Sequence, residues 1–329
     1  MILILIIAIA LATCVALTWR RGGTLHDFNK QRTVPLRGIA ALMIVVYHVV
    51  HNVPEVPILN QSLLWGDTSV CLFFFLSGYG LMVSYLKKQD TYLRGFLGHR
   101  LGRLLPPFLI AAIGYEIYQS TQTGHSTLDS LAAIAHGGTV LPDSWFVITI
   151  FVYYLLFYAC ARLLRSPLAT VAGLWVASAG YIALLYALGW DGYWYKTVLT
   201  FNIGATYSLI ENRVKSVIVA HPPVLTWGAI AIALSIVVLG LTSVMLPIFY
   251  LLPLLVVAAV YAMGMWRSKA LVFLGTISYE IYIMQCIWRH TLYPTADIHW
   301  SVYLIATITI TILTAWLLHL VCKRFIYRS

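Results

Sequence analysis

Eleven apolar stretches divide this chain, near residues 2–19, 38–53, 68–86, 104–120, 145–163, 168–188, 196–210, 224–242, 245–265, 270–289 and 301–322. A run of about 20 apolar residues, rising about 1.5 Å per residue, matches the ~30 Å hydrocarbon core of a bilayer, so each stretch is read as a crossing helix. Composition agrees. With 61% hydrophobic residues, 10% charged residues and a mean hydropathy of +0.86, the 329-residue chain is excluded from the ordinary soluble domains. The expected fold is an all-α polytopic membrane protein of about eleven transmembrane helices, forming one integral-membrane domain over 1–329. The longest polar connection, Gln119 to Ser144, has room for at most a short surface helix.

A net charge of +10 suggests nucleic acid in a soluble protein, but here the basic residues sit in short loops between apolar runs, where orientation accounts for them. Nucleic-acid binding is not expected. Counting alternate connections from Arg20, Arg21, Lys30, Arg32 and Arg37 through to Lys323, Arg324 and Arg328 puts 19 of the 21 basic residues on one face. By the positive-inside rule that face is cytoplasmic, which places the N-terminus outside and the C-terminus inside. Only Lys196 and Arg289 fall on the opposite face, among Glu55, Asp67, Asp129, Asp143, Asp191 and Asp297. Leu11-Ala12-Thr13-Cys14 loosely resembles a lipoprotein cleavage box, yet Arg20 and Arg21 follow the apolar run and nothing basic precedes it. That is the reverse of a secretory signal, so residues 1–20 are expected to be an uncleaved helix. Cys14, Cys71, Cys160, Cys286 and Cys322 all lie in apolar spans without CxxC spacing and read as packing residues, so neither a disulfide framework nor a metal site is expected.

Against this scaffold the polar positions between Arg37 and Arg103 stand out, because an ionisable side chain in or beside hydrocarbon is penalised by roughly 2.5 kcal/mol or more. His48 follows Arg37 by eleven residues. On a helix that is about 16 Å along the axis and within about 20° of the same face, which sets His48 near mid-membrane above a cytoplasmic arginine. Ser77, in Phe73-Phe74-Phe75-Leu76-Ser77-Gly78-Tyr79, comes out at similar depth on the next, descending span. Arg100 and Arg103, at i and i+3 ahead of Pro106 and Pro107, share a helical face at the cytoplasmic mouth and suit a bidentate grip on phosphates. Each has a plain structural reading as well: a histidine bonded between packed helices, a Ser-Gly pair marking close helix approach, arginines that set topology. The combination favours chemistry, with a phosphate-binding charge cluster below a titratable base.

These residues carry a resemblance. Arg37-x10-His48, Phe73-Phe74-x-x-Ser77-Gly78-Tyr79 and Arg100-x-x-Arg103 with a following proline resemble, in identity, order and placement, the acyltransferase 3 family of bacterial integral-membrane acyltransferases. The likeness extends to Ser144-Trp145-Phe146 and Ser278-Tyr279-Glu280-Ile281-Tyr282. It implies a ten-helix acyltransferase body over 37–322 with residues 1–20 as an additional helix, in the cell (inner or plasma) membrane. It also implies transfer of an acyl group, usually acetyl from cytoplasmic acetyl-CoA as co-substrate with no bound cofactor, to a hydroxyl or amine of a cell-surface glycan or its lipid-linked precursor. The family's essential histidine falls on His48 and its arginines on Arg37, Arg100 and Arg103. Two departures are visible: Ile150 and Phe151 stand where many members carry a carboxylate pair, and Gln285 where many carry histidine.

A thioester is already activated, so such a site needs only to deprotonate the acceptor hydroxyl, hold the reactants together and stabilise an oxyanion. Histidine suits the first task. Ser77, Tyr79, Trp145 and Tyr279 are candidate oxyanion or acceptor contacts. Glu116 and Glu280, the two acids inside apolar spans, are candidates to orient His48 or to pair elsewhere; His51 is a candidate acceptor contact or an interfacial residue. The competing reading is a secondary transporter or flippase in which His48, Glu116 and Glu280 form a proton relay; it lacks the paired, interrupted halves such folds show.

Overall fold

A computed structural model describes residues 2–20, 25–53, 65–124, 127–242, 246–264, 268–292 and 299–326. Among the charges used for orientation, Arg21, Glu55, Arg267, Asp297 and Arg328 lie outside the described residues. The described chain is helical, with no strand among these residues. Its α-helices are α1 (Ile2–Arg20), α2 (Lys30–Asn52), α3 (Trp65–Lys88), α4 (Asp90–Leu93), α5 (Phe96–Thr123), α6 (Thr127–Ala135) and α7 (Trp145–Leu164), followed by α8 (Pro167–Ala187), α9 (Leu199–Ala220), α10 (Pro223–Leu241), α11 (Leu246–Met263), α12 (Lys269–Thr276), α13 (Ser278–Leu292) and α14 (Trp300–Phe325).

Each of the eleven apolar stretches falls on helix, and seven of the helices are long and apolar enough to cross a bilayer; α12 with α13 makes an eighth if counted as one broken span. The chain is a multi-pass membrane protein. The boundaries differ from hydropathy in two informative ways. Helix α2 begins at Lys30 and α5 at Phe96, so Arg37, Arg100 and Arg103 sit within helices, where a hydropathy window stops at charges the backbone tolerates. The 270–289 stretch is not one helix. It breaks at Ile277, in a run of Gly275, Thr276, Ile277 and Ser278 that is poor in helix propensity, and the Ile277 carbonyl accepts the Ile281 N–H to open α13. The Gln119–Ser144 connection, with room for at most a short helix, holds α6.

The chain divides into two compact units: 1–43, 54–83 and 197–276 form one, and 44–53, 84–196 and 277–329 the other, with α2 and α3 changing unit part-way along. In the first, α1 packs on α10 and α11, and α9 packs on both. Ala8, Ala12 and Val15 of α1 pack in one core with Ala229, Ala233 and Ile236 of α10 and Leu252 and Leu255 of α11. Small residues let backbones meet where lipid offers no competing hydrophobic drive. An added Cβ on Gly78 would run into the carbonyl of Phe201, and one on Gly204 into that of Phe75, so α3 and α9 approach backbone to backbone. Gly38 and Gly275 do the same for α2 and α12.

In the second unit α13 packs on α14 and α5, α5 also meets α7 and α14, and α8 packs on α7. Aromatic side chains fill it: Phe96 contacts Tyr92, Tyr154, Phe157 and Tyr158, while buried Trp194 contacts Trp145, Trp190 and Tyr193.

The glycine contacts give a test. Gly78→Ala should cost about 1–3 kcal/mol of stability through overpacking. Gly80→Ala, where an added Cβ meets nothing within 4 Å, should be neutral or better. Thermal unfolding of the two purified variants checks this.

Candidate functional site

The second unit gathers an unusual set of polar side chains around His48. Its Nδ1 lies 3.3 Å from Nη1 of Arg289, which projects from α13. A guanidinium can only donate, so Nδ1 is the accepting nitrogen and the imidazole is the neutral tautomer carrying its hydrogen on Nε2. Arg289 is buried, with its Nη2 donating to Asp143 Oδ2 and lying 2.7 Å from His290 Nε2. One guanidinium thus ties a carboxylate and two imidazoles together.

Local structure explains why these groups are held. Asp143 precedes α7 with a left-handed backbone, φ 57°, a conformation that aspartate tolerates better than most side chains. Its side chain is fixed by Arg289 and its carbonyl accepts the Tyr282 hydroxyl. Tyr303 of α14 donates to the Arg289 carbonyl at 3.1 Å and accepts from Asn52 at 3.0 Å, so the end of α2 is bonded to α14 and, through it, to α13. The Tyr47 ring lies edge-on to the His48 ring, and His51 is exposed one turn on. Nε of Arg289, Oγ of Ser144 and Oε1 of Gln285 are buried with no hydrogen-bond partner among the described residues; Ser144 is next to Asp143 in the chain and Gln285 is one turn before Arg289.

The other expected residues are distributed as follows. Arg100 is half-buried, donates to the Tyr92 hydroxyl at 2.7 Å and lies 6.0 Å from the rings of Tyr92, Phe96 and Tyr154, while Arg103 is exposed on the same helix. Tyr279 donates to the Leu104 carbonyl at 2.8 Å, joining the start of α13 to α5 just beyond Arg103. Trp145 opens α7 two residues after Asp143 and contacts Phe146, Tyr193 and Trp194. Glu116 accepts from Ser130 at 2.7 Å, and Glu280 lies 2.7 Å from His319 Nδ1, so both carboxylates are engaged by partners other than His48.

In the first unit Arg37 is half-buried on α2 beside the Gly38 contact, and Ser77 is half-buried on α3. Tyr79 is committed to a buried carboxylate. Its hydroxyl lies 2.6 Å from Glu211 and 2.8 Å from the Phe28 carbonyl, while Tyr261 and Lys215 bond the other oxygen of Glu211 at 3.2 Å and 2.8 Å. Tyr207 bonds Tyr261, and Lys215 also reaches Asp27 at 3.2 Å. The tyrosine therefore anchors the connection before α2. On that connection His26 is held below the ordinary imidazole range by burial and by the Arg32 cation.

Sequence reasoning missed Arg289, Asp143 and Glu211 as organising groups. Arg289 carried a signal: it is one of only two basic residues that break the loop-charge asymmetry. Glu211 lies just beyond the 196–210 stretch and reads as a loop acid when hydropathy alone is followed.

Removing Arg289 leaves Asp143 without its cation. Because a third of the Asp143 side chain remains exposed, Arg289→Ala should cost about 3 kcal/mol, the low end for breaking a buried pair. Asp143→Asn keeps an acceptor oxygen but leaves the more deeply buried guanidinium without its counter-charge, and should cost at least as much. Thermal unfolding in detergent checks the order.

Compared with known proteins, the chain matches the family model described as an acyltransferase domain over residues 36–320. No curated protein and no solved structure matches it.

Proposed function

The chain belongs to the acyltransferase 3 family, and from that premise we propose that it moves an acetyl group from cytoplasmic acetyl-CoA to a hydroxyl of a cell-surface glycan or lipid-linked glycan precursor, with His48 as general base. The observation that carries this reading is the contact of His48 with Arg289. It sets an unprotonated imidazole nitrogen beside a permanent cation, which supplies the two elements an activated thioester still needs.

In the proposed step the acceptor hydroxyl takes the place of Arg289 at Nδ1. As its oxygen attacks the thioester carbon, the proton passes to His48 and charge develops on the carbonyl oxygen, which a guanidinium N–H stabilises. Collapse of that intermediate breaks the carbon–sulfur bond, and the coenzyme thiolate leaves with the proton from His48. Asp143 offsets the positive charge that an imidazolium beside Arg289 would otherwise leave unbalanced. Ser144, Gln285 and Trp145, in the same unit as His48, are the proposed acceptor contacts. Tyr79, engaged with Glu211, is assigned to holding the connection before α2.

The donor side of the proposal rests on charge. Taken over the eleven apolar stretches that hydropathy reads as spans, positive-inside counting proposes an outward N-terminus and a cytoplasmic assignment for Arg37, Arg100 and Arg103, which are proposed to bind the coenzyme phosphates. Arg100, framed by three aromatic rings, also suits stacking on an adenine. The transporter reading has less support, since Ser130 and His319 engage the two acids a relay through His48 would use.

His48→Ala should lower acetyl transfer by at least about 10²-fold while membrane abundance stays near normal, because the change removes the base and leaves the Arg289–Asp143 pair. Radiolabel transfer from acetyl-CoA to surface glycan in membranes of matched protein content measures it. Full activity in the variant would sink the assignment and leave His48 a packing residue.

A further inference from the structure

The first unit carries a groove of about 550 Å³ formed by α9, α10 and α11. Its walls are almost wholly apolar, with Ile210, Val214 and Val217 on one side and Ile232 and Leu254 on the other. Gly228 lies inside α10, where glycine is disfavoured relative to alanine. An added Cβ there would meet nothing within 4 Å, so the missing side chain is part of what keeps the groove open.

The polar atoms of the lining are few and differ in availability. Tyr207 and Tyr261 turn their hydroxyls to each other, and Tyr261 also bonds Glu211 inside the unit. Arg213 is exposed and makes no ion pair among the described residues, whereas Lys215 two residues on is bonded to Glu211 and Asp27. The groove thus offers a long apolar surface with one available cation on its rim. An amphiphile with an extended hydrocarbon chain and an anionic head fits that pattern, and in a membrane protein phospholipid supplies both.

We propose that this groove is a binding site for one anionic phospholipid, its acyl chain lying along α9 and α10 over Gly228 and its phosphate bonded to Arg213. Of the wall tyrosines, Tyr261 bonds Glu211 and Tyr207 bonds Tyr261, so an occupied groove stiffens the same network that, through Glu211 and Tyr79, anchors the connection before α2. This site is separate from the His48 cluster, and its test does not depend on acyl transfer.

The test uses the full chain, delipidated in detergent, with binding read by native mass spectrometry and by the shift in unfolding temperature. Three probes separate the sources of affinity: phosphatidylglycerol, phosphatidylcholine with the same chains, and inorganic phosphate. The expected result is one tightly retained phosphatidylglycerol, weaker phosphatidylcholine and no effect of phosphate alone. Arg213→Gln, a change at an exposed position, should lower phosphatidylglycerol affinity about tenfold, to the phosphatidylcholine level. Gly228→Leu should fill the groove and abolish retention of both lipids, with its helical signal and elution volume confirming an intact fold. Equal retention of the two lipids by the unmodified chain, an Arg213→Gln variant that keeps the preference, or a well-folded Gly228→Leu variant that still holds lipid would each overturn the proposal.

Discussion

A charge inside an apolar helix bundle must find its partner within the protein, and the buried polar residues here are organised by that demand. Arg289 takes Asp143 and two histidines, Glu211 takes two tyrosines and a lysine, Glu280 takes His319, and Glu116 takes Ser130. The Arg289 and Glu211 groups join elements distant in sequence, and the Glu116 and Glu280 pairs join consecutive helices. A bond that satisfies a buried charge can also hold the chain around it, as Tyr79 does by bonding both Glu211 and the Phe28 carbonyl ahead of α2, while the neutral bonds of Tyr303 to Asn52 and the Arg289 carbonyl hold the end of α2 to α13.

The same demand bears on the proposed chemistry. In the proposed step the His48 nitrogen that accepts from Arg289 is the one offered to the acceptor hydroxyl. The cation released from it is the group proposed to stabilise the oxyanion. The acetyl group and its pantetheine arm can enter an apolar environment at modest cost, but the nucleotide phosphates cannot, and the proposal accordingly keeps the nucleotide at the cytoplasmic face.

Much of this fold was legible in the residues themselves. Apolar length alone locates the helices, since no other backbone arrangement satisfies such stretches so locally, and Gly78 and Ser77 announce close helix approach on α3. The break at Ile277 was not legible, because the apolar residues on either side keep a hydropathy window high while Thr276 and Ile277 favour helix only weakly. Within the candidate site His48 was legible through its cost and spacing, whereas its bond to Arg289 was not: 241 positions separate them, and no local pattern encodes a contact at that range. Arg289 is marked in the sequence by the charge asymmetry it breaks, though its partners are not; the Tyr79 motif is distinctive, whereas the bond of its hydroxyl to Glu211, 132 positions away, has no local pattern.

The central claim is that a donor held at the cytoplasmic face is used by a base within the membrane, and its most direct test is sidedness. Membrane vesicles of known orientation carrying the full chain and the glycan acceptor are supplied with acetyl-CoA on one face at a time, and acetylated product is measured by mass. The account predicts product only when the donor is on the face bearing Arg37, Arg100 and Arg103. Product from the opposite face, or movement of an unaltered substrate driven by a proton gradient, would contradict it.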